Sequence, residues 1–191
     1  MKILIILGSI RQNRFGERPA QWILQEARKR EGVEFELVDL RDHPLPMFAE
    51  ATPPSRLNGN YPNEVVARWA KKVAEADGFI LVTGEYNHGY PPSLKNAIDH
   101  LFVEWARKPV SFVGYGSAGG ARAVEQLRLV AVELEMAPIR LAVHVLPEVF
   151  RAALGGQAEP FEPLKGNAER MLDQLLWWTR TLKTAREQGG K

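Results

Sequence analysis

Five times along this chain an apolar run gives way to a loop and then to a stretch with helical spacing. The runs are residues 2–7, 33–40, 78–82, 108–115 and 138–145. Helical spacing follows over about 19–30, 63–76, from Leu94 through Trp105, 121 to about 136, and 164–186. A strand that is followed by a helix each time returns to its sheet in parallel, with helices over both faces. The predicted fold class is therefore α/β, a five-stranded parallel sheet in one domain spanning residues 1–191 and ending in a C-terminal helix. Residues 2–7 are apolar after Lys2, as in a strand buried on both sides. Residues 33–40 alternate Val33, Phe35 and Leu37 with Glu34 and Glu36, the pattern of an edge strand with one wetter face.

Ligands of such sheets collect beyond the carboxyl ends of the strands. The loops beginning near Ser9, Gly84 and Gly116 all emerge there. The first reads Gly-Ser-Ile-Arg-Gln-Asn-Arg-Phe-Gly over 8–16. Small and polar residues ahead of a helix make an anion cradle, to which Ser9 adds a hydroxyl and Arg11 and Arg14 add bidentate donors. Neither the Walker pattern nor G-x-G-x-x-G is present in this loop. The second loop, Gly84-Glu85-Tyr86-Asn87-His88-Gly89-Tyr90-Pro91-Pro92, combines flat tyrosine faces, an amide and close-approach glycines. It suits a flat ring with polar edges; a tight turn stapled by two prolines would use the same residues. The third, Gly-Ser-Ala-Gly-Gly over 116–120, opens another helix, and its glycines also suit close helix packing. One ligand with a phosphate, a flat ring and a polar ring edge would use all three loops. The long proline-rich segment 41–62 is of the length that commonly covers a site.

Composition removes several alternatives. The chain has no cysteine, which excludes disulfides, thiolate catalysis and cysteine zinc sites, and is compatible with a reducing cytoplasm, the expected location. A net charge of +2 over 191 residues argues against nucleic acid or membrane as the main partner. No apolar run approaches the roughly 20 residues of a membrane span. The N-terminal run lacks an A-x-A-type cleavage site and passes directly into Gly8-Ser9, so it reads as strand one.

Gly-Ser-Ile-Arg at 8–11, Glu-Tyr-Asn-His-Gly-Tyr-Pro at 85–91, Leu-Lys-Asn-Ala-Ile-Asp at 94–99 and Gly-Ser-Ala-Gly-Gly at 116–120 together resemble the NADPH-dependent FMN reductase family, over roughly residues 1–145. The resemblance implies a flavodoxin-like fold with strand order 2-1-3-4-5. It implies FMN as cofactor, and NADPH or NADH as the donor of electrons to a flavin, quinone or similar acceptor. Carried over position by position, Ser9 and Arg11 hold the phosphate, with Arg14, Phe15 and Gly16 where the family often has a second serine. Glu85, Tyr86, Asn87 and His88 lie against the isoalloxazine, and Ser117, Ala118, Gly119 and Gly120 reach its pyrimidine side. A proline commonly stands where this chain has Gly84, a departure expected to loosen the loop. A homodimer or homotetramer, paired through the helices after strands three and four, is also implied.

No general acid, general base or metal ligand is assigned, because hydride chemistry belongs to the flavin. His88 reads as a solvent-facing loop residue rather than a proton donor, and Lys95 and Asp99 as structural groups. The second function considered is a non-enzymatic electron carrier of flavodoxin type. Such carriers tend to be acidic and shorter, whereas this chain is slightly basic.

Overall fold

A computed structural model describes residues 1–189; residues 190 and 191, the end of the expected single domain, lie outside the described residues. The first strand, β1 (Lys2–Leu7), lies between β2 (Glu34–Asp39) and β3 (Gly78–Gly84). Beyond β3 come β4 (Pro109–Tyr115) and then two short segments, β5 (Ala137–Pro138) and β6 (Val143–Val145), both paired with β4. Every pairing is parallel, and the order is the expected 2-1-3-4-5 with the fifth position shared.

The side-chain period of two distributes each central strand between two cores. Ile3, Ile5 and Leu7 of β1, with Ile80, Val82 and Val113, face α1 (Glu17–Ala27), α5 (Pro147–Leu154) and α6 (Lys165–Glu187). Leu4 and Ile6, with Phe79, Leu81, Val110 and Phe112, face α2 (Glu64–Ala74), α3 (Pro92–Asp99) and α4 (Ala121–Glu133). Each such side chain contributes about 1.5–3 kcal/mol on full burial. The edge character expected of residues 33–40 holds, since among the described residues β2 pairs only with β1.

Local chemistry sets the helix starts. The Asn63 side chain accepts from the N–H groups of Val65 and Val66, capping α2. Val66, Trp69, Ala70 and Val73 form its buried stripe, and the Trp69 indole donates to the Ala97 carbonyl at 2.8 Å. On α3, Asn96 accepts from the Phe48 N–H at 2.8 Å and donates to the Pro46 carbonyl at 2.8 Å. The irregular segment 41–62 is thereby tied down onto α3. On α6 the spacing of Ala168, Leu172, Leu175, Thr179 and Leu182 predicts an inward stripe with Trp177 opposite it; the first four are buried, Leu182 is half-buried and Trp177 points to solvent.

Three expectations need correction. The fifth strand is interrupted because Leu141, and the carbonyls of Ile139 and Arg140, bond to side chains rather than to the β4 backbone. Ser111 donates to the Leu141 carbonyl and Gln174 accepts from the Leu141 N–H, while Arg128 holds the carbonyls of Ile139 and Arg140. The helix expected to run from Leu94 through Trp105 stops at Asp99; Leu101 and Trp105 are buried from the turns that follow. The glycine-containing stretch 151–162 reads as loop in the sequence, but residues 151–154 are the last turn of α5. That helix carried a readable start signal, Pro147 followed by Glu148, with Val149 and Ala153 one turn apart on its buried side.

Candidate functional site

Beyond the carboxyl ends of β1, β3 and β4 lies a cavity of about 320 Å³. Its wall combines Ser9, Arg11, Arg14 and Phe15 of the first loop, Glu85 and Tyr86 of the second, and Tyr115 and Gly116 at the start of the third.

At the first loop the backbone is held from behind. Arg14 donates to the Ser9 carbonyl and forms a bidentate pair with the Asp39 carboxylate; its side chain is only 2% exposed. Arg41 donates to the carbonyls of Ile10 and Arg11. Two guanidinium groups thus hold three successive carbonyls while Asp39 and Glu17 balance their charge, which leaves the loop's backbone N–H groups and Arg11 to meet an anion. Burial works to raise the Asp39 carboxyl, but the Arg14 hydrogen bond, with Arg41, holds it below the usual carboxylate range. The expected phosphate donor Arg14 is therefore committed to the protein, whereas Arg11 is exposed at the rim. Ser9, 1% exposed as a residue, shares a 2.6 Å hydrogen bond with the Tyr86 hydroxyl, and the Arg11 guanidinium lies 5.6 Å from the centre of the Tyr86 ring.

Tyr115 explains the glycine expected to loosen the second loop. A Cβ at Gly84 would stand 2.9 Å from the Tyr115 ring, so the ring occupies the space a proline would need. Gly84 is buried as the last residue of β3, opposite Tyr115 in register. The same ring roofs Gly16, whose Cβ would meet the Tyr115 hydroxyl at 2.5 Å, and Gly16 is buried behind the cavity wall rather than on it. Burial, then the neighbouring Tyr86, push the Tyr115 phenol up to about 12, against the opposing pull of Ser9, Arg14 and Arg11.

The second loop makes a tight turn in which Tyr86 and Gly89 exchange both backbone hydrogen bonds, at 2.8 and 3.0 Å. Its tip residues, Asn87 and His88, are left-handed at φ of 49° and 68° and exposed. In the third loop, Gly120 opens α4 at φ of 70°, and a Cβ there would come within 2.6 Å of the Tyr115 nitrogen. Only glycine suits that combination of handedness and closeness. Ser117 is exposed, Ala118 half-buried, and Gly119 and Gly120 buried; none of the four lies on the cavity wall.

Residues not singled out from the sequence complete the wall. Gln12 and Asn13 belong to the first loop, Tyr115 and Gly116 to the start of the third, and Phe150 and Leu154 to α5. Phe15 packs against Phe150 at 4.1 Å and Tyr115 at 5.4 Å between ring centres. The donor set matches a flavin mononucleotide in kind: a hydroxyl and a free guanidinium at one end, aromatic faces along the side, and glycine backbone at the other.

Fold and cavity together define a flavodoxin-like protein with a mononucleotide-sized crevice at the carboxyl edge of its sheet. The family model for NADPH-dependent FMN reductases matches residues 1–149, and the chain belongs to that family. A protein of Schizosaccharomyces pombe named an NAD(P)H-dependent FMN reductase is 43% identical, over 71% of this chain and 68% of its own length. A Nectria protein of the same description is 31% identical, over 97% of this chain and 99% of its own. Among solved structures, a flavoenzyme NAD(P)H:(acceptor) oxidoreductase from Paracoccus denitrificans superposes with a TM-score of 0.66 and 24% identity, covering 91% of this chain and 96% of that one. Phe150 and Leu154 fall just beyond the family match.

Proposed function

We propose that this protein is an NAD(P)H-dependent oxidoreductase that binds FMN in the crevice and passes hydride through it to a quinone, a free flavin or a similar acceptor. The observation that carries the reading is the meeting of Ser9 and Arg11 with Tyr86 and Tyr115 in one cavity, in a chain of this family. Bound FMN would supply the redox chemistry, accepting a hydride from the nicotinamide and handing electrons on. The protein's part is to hold and orient it. Ser9, Arg11 and the backbone of residues 9–13 would take the phosphate, braced by Arg14 and Arg41. Glu85, Tyr86, Asn87 and His88 would form the ring platform, and Gly116 to Gly120 would approach its pyrimidine edge, where backbone N–H groups can meet developing charge without a titrating residue.

The crevice is sized for a mononucleotide, so flavin released by denaturation should run as FMN on chromatography. Recovery of FAD alone would reject that identity. NADPH or NADH should bleach the bound flavin; failure to do so within minutes would favour the electron-carrier alternative. With one flavin-sized crevice at the three loops, nicotinamide and acceptor should take turns, between walls that include Tyr86, Tyr90 and the 41–62 segment. Initial rates at several fixed quinone concentrations should then give parallel double-reciprocal lines, and intersecting lines would mean a ternary complex.

The reading includes one domain over the whole chain, a cytoplasmic location and a homodimer or homotetramer formed through α3 and α4. Exposed Leu129 and Val132 on α4 support the pairing. Exposed Trp177, in edge contact with Trp178, is a second candidate anchor on α6. Light scattering at micromolar protein distinguishes these assemblies from a monomer.

A further inference from the structure

We infer that Arg122, the second residue of α4, is a positioning residue that welds the ring platform to the glycine loop. The inference rests on the proposal that the crevice holds a flavin. Two successive non-glycine residues, Asn87 and His88, stand in left-handed conformations that cost free energy and persist only where their surroundings impose them. The Tyr86–Gly89 backbone pair closes this turn, and contacts from α4 hold it in place.

The Arg122 guanidinium pairs with the Glu85 carboxylate, whose side chain is 3% exposed, and the Arg122 backbone N–H donates to the same carboxylate at 3.3 Å. Another guanidinium nitrogen lies 2.8 Å from His88 Nε2. Guanidinium offers only donors, so His88 Nε2 is the acceptor in this contact. One turn further along α4, Gln126 donates to the His88 carbonyl at 2.7 Å. The start and the tip of the second loop are thus both held from the helix that the third loop opens. Burial works to raise the Glu85 carboxyl, and Arg122 overrides it, keeping the carboxylate charged.

One detail argues that Arg122 is held for more than packing. Its Nε is the single buried side-chain nitrogen or oxygen without a hydrogen-bond partner among the described residues. A well-packed protein rarely leaves a donor in that condition. Here the guanidinium forgoes one bond to reach Glu85 and His88 together, the two contacts that set the platform. Lysine has the charge but not the fork, so it could serve one partner and not both.

The test is flavin binding, followed by fluorescence quenching with riboflavin and with FMN. Arg122→Ala should weaken both ligands by the same factor, roughly tenfold or more, because the ring platform is common to both. Arg122→Lys should bind both several-fold more weakly than wild type, with a flavin-free melting temperature within a few degrees of it. Arg11→Ala, at the phosphate end, should separate the two ligands and serves as the contrast. Riboflavin binding of wild-type strength by Arg122→Lys, or a loss confined to FMN in either Arg122 variant, would overturn the inference. If Arg122→Ala fails to fold, Arg122→Lys alone decides. Failure of the wild type to bind either ligand would instead overturn the underlying reading of the crevice.

Discussion

The two ends of the crevice are built on opposite principles. At the phosphate end, side chains do the work: Arg14 and Arg41 grip carbonyls from behind, and Arg11 is left exposed in front. At the ring end the backbone does the work, through glycines in left-handed conformations and a turn clamped by Arg122 and Gln126. A phosphate is small, charged and tolerant of direction, so a mobile guanidinium can find it. A flat ring needs a surface already in place, because reordering a loop on binding would cost affinity. Substitutions at the two ends should therefore fail in different ways.

The largest effect is expected at the ring end. Gly120→Ala places a Cβ within 2.6 Å of the Tyr115 nitrogen and 2.8 Å of the Gly114 Cα, both rigid backbone, at a left-handed φ. Overpacking and strain together should destabilise the fold by about 3 kcal/mol or more. Chemical denaturation measures this directly, and riboflavin and FMN binding should decline together. A variant of wild-type stability would mean that the third loop is soft, which would remove the contrast between the ends.

At the phosphate end the fold should be indifferent and the ligand should not. Arg11→Ala is expected to weaken FMN by about 1.5–3 kcal/mol, the range for hydrogen bonds to charged groups. Riboflavin, without a phosphate, should bind the variant as it binds wild type, and the melting temperature should stay put. Equal losses for both ligands would show that Arg11 shapes the cavity through its stacking on Tyr86.

The sequence disclosed these two ends unequally, for a physical reason. Periodicity and loop composition reveal local structure, so the alternation of strands and helices, the edge strand and the three loops could be read directly, while the strand order came only with the family resemblance. Ser9, Arg11 and Tyr86 were legible because their chemistry is carried by the residue type itself. Arg14 was misjudged because its partner Asp39 is distant in sequence, at the end of a neighbouring strand. Tyr115 looked like an ordinary strand residue; its role depends on the two glycines that leave room for its ring. Phe150 and Leu154 were hidden by a short helix read partly as loop. The Arg122 clamp was invisible for the same reason as Arg14: side-chain partnerships across long sequence separations leave no local pattern.

Tyr115 touches both ends, and its titration offers the finest test of how they are joined. Its phenol is pushed up to about 12 from an ordinary value near 10, chiefly by burial. The folded protein therefore keeps this proton over a range in which the unfolded chain has lost it. Stability owed to the neutral phenol is complete below about pH 10 and declines as pH rises towards 12. At pH 11 the loss from this group should be about 1 kcal/mol, and Tyr115→Phe should lack it. Denaturation of both proteins at pH 8 and pH 11, compared as a difference, cancels the many lysines that also titrate there. A constant offset between the two, with no change in slope, would mean that water reaches the phenol. The ring would then be a loose cover over Gly84 and Gly16 rather than the packed joint between the two ends of the crevice.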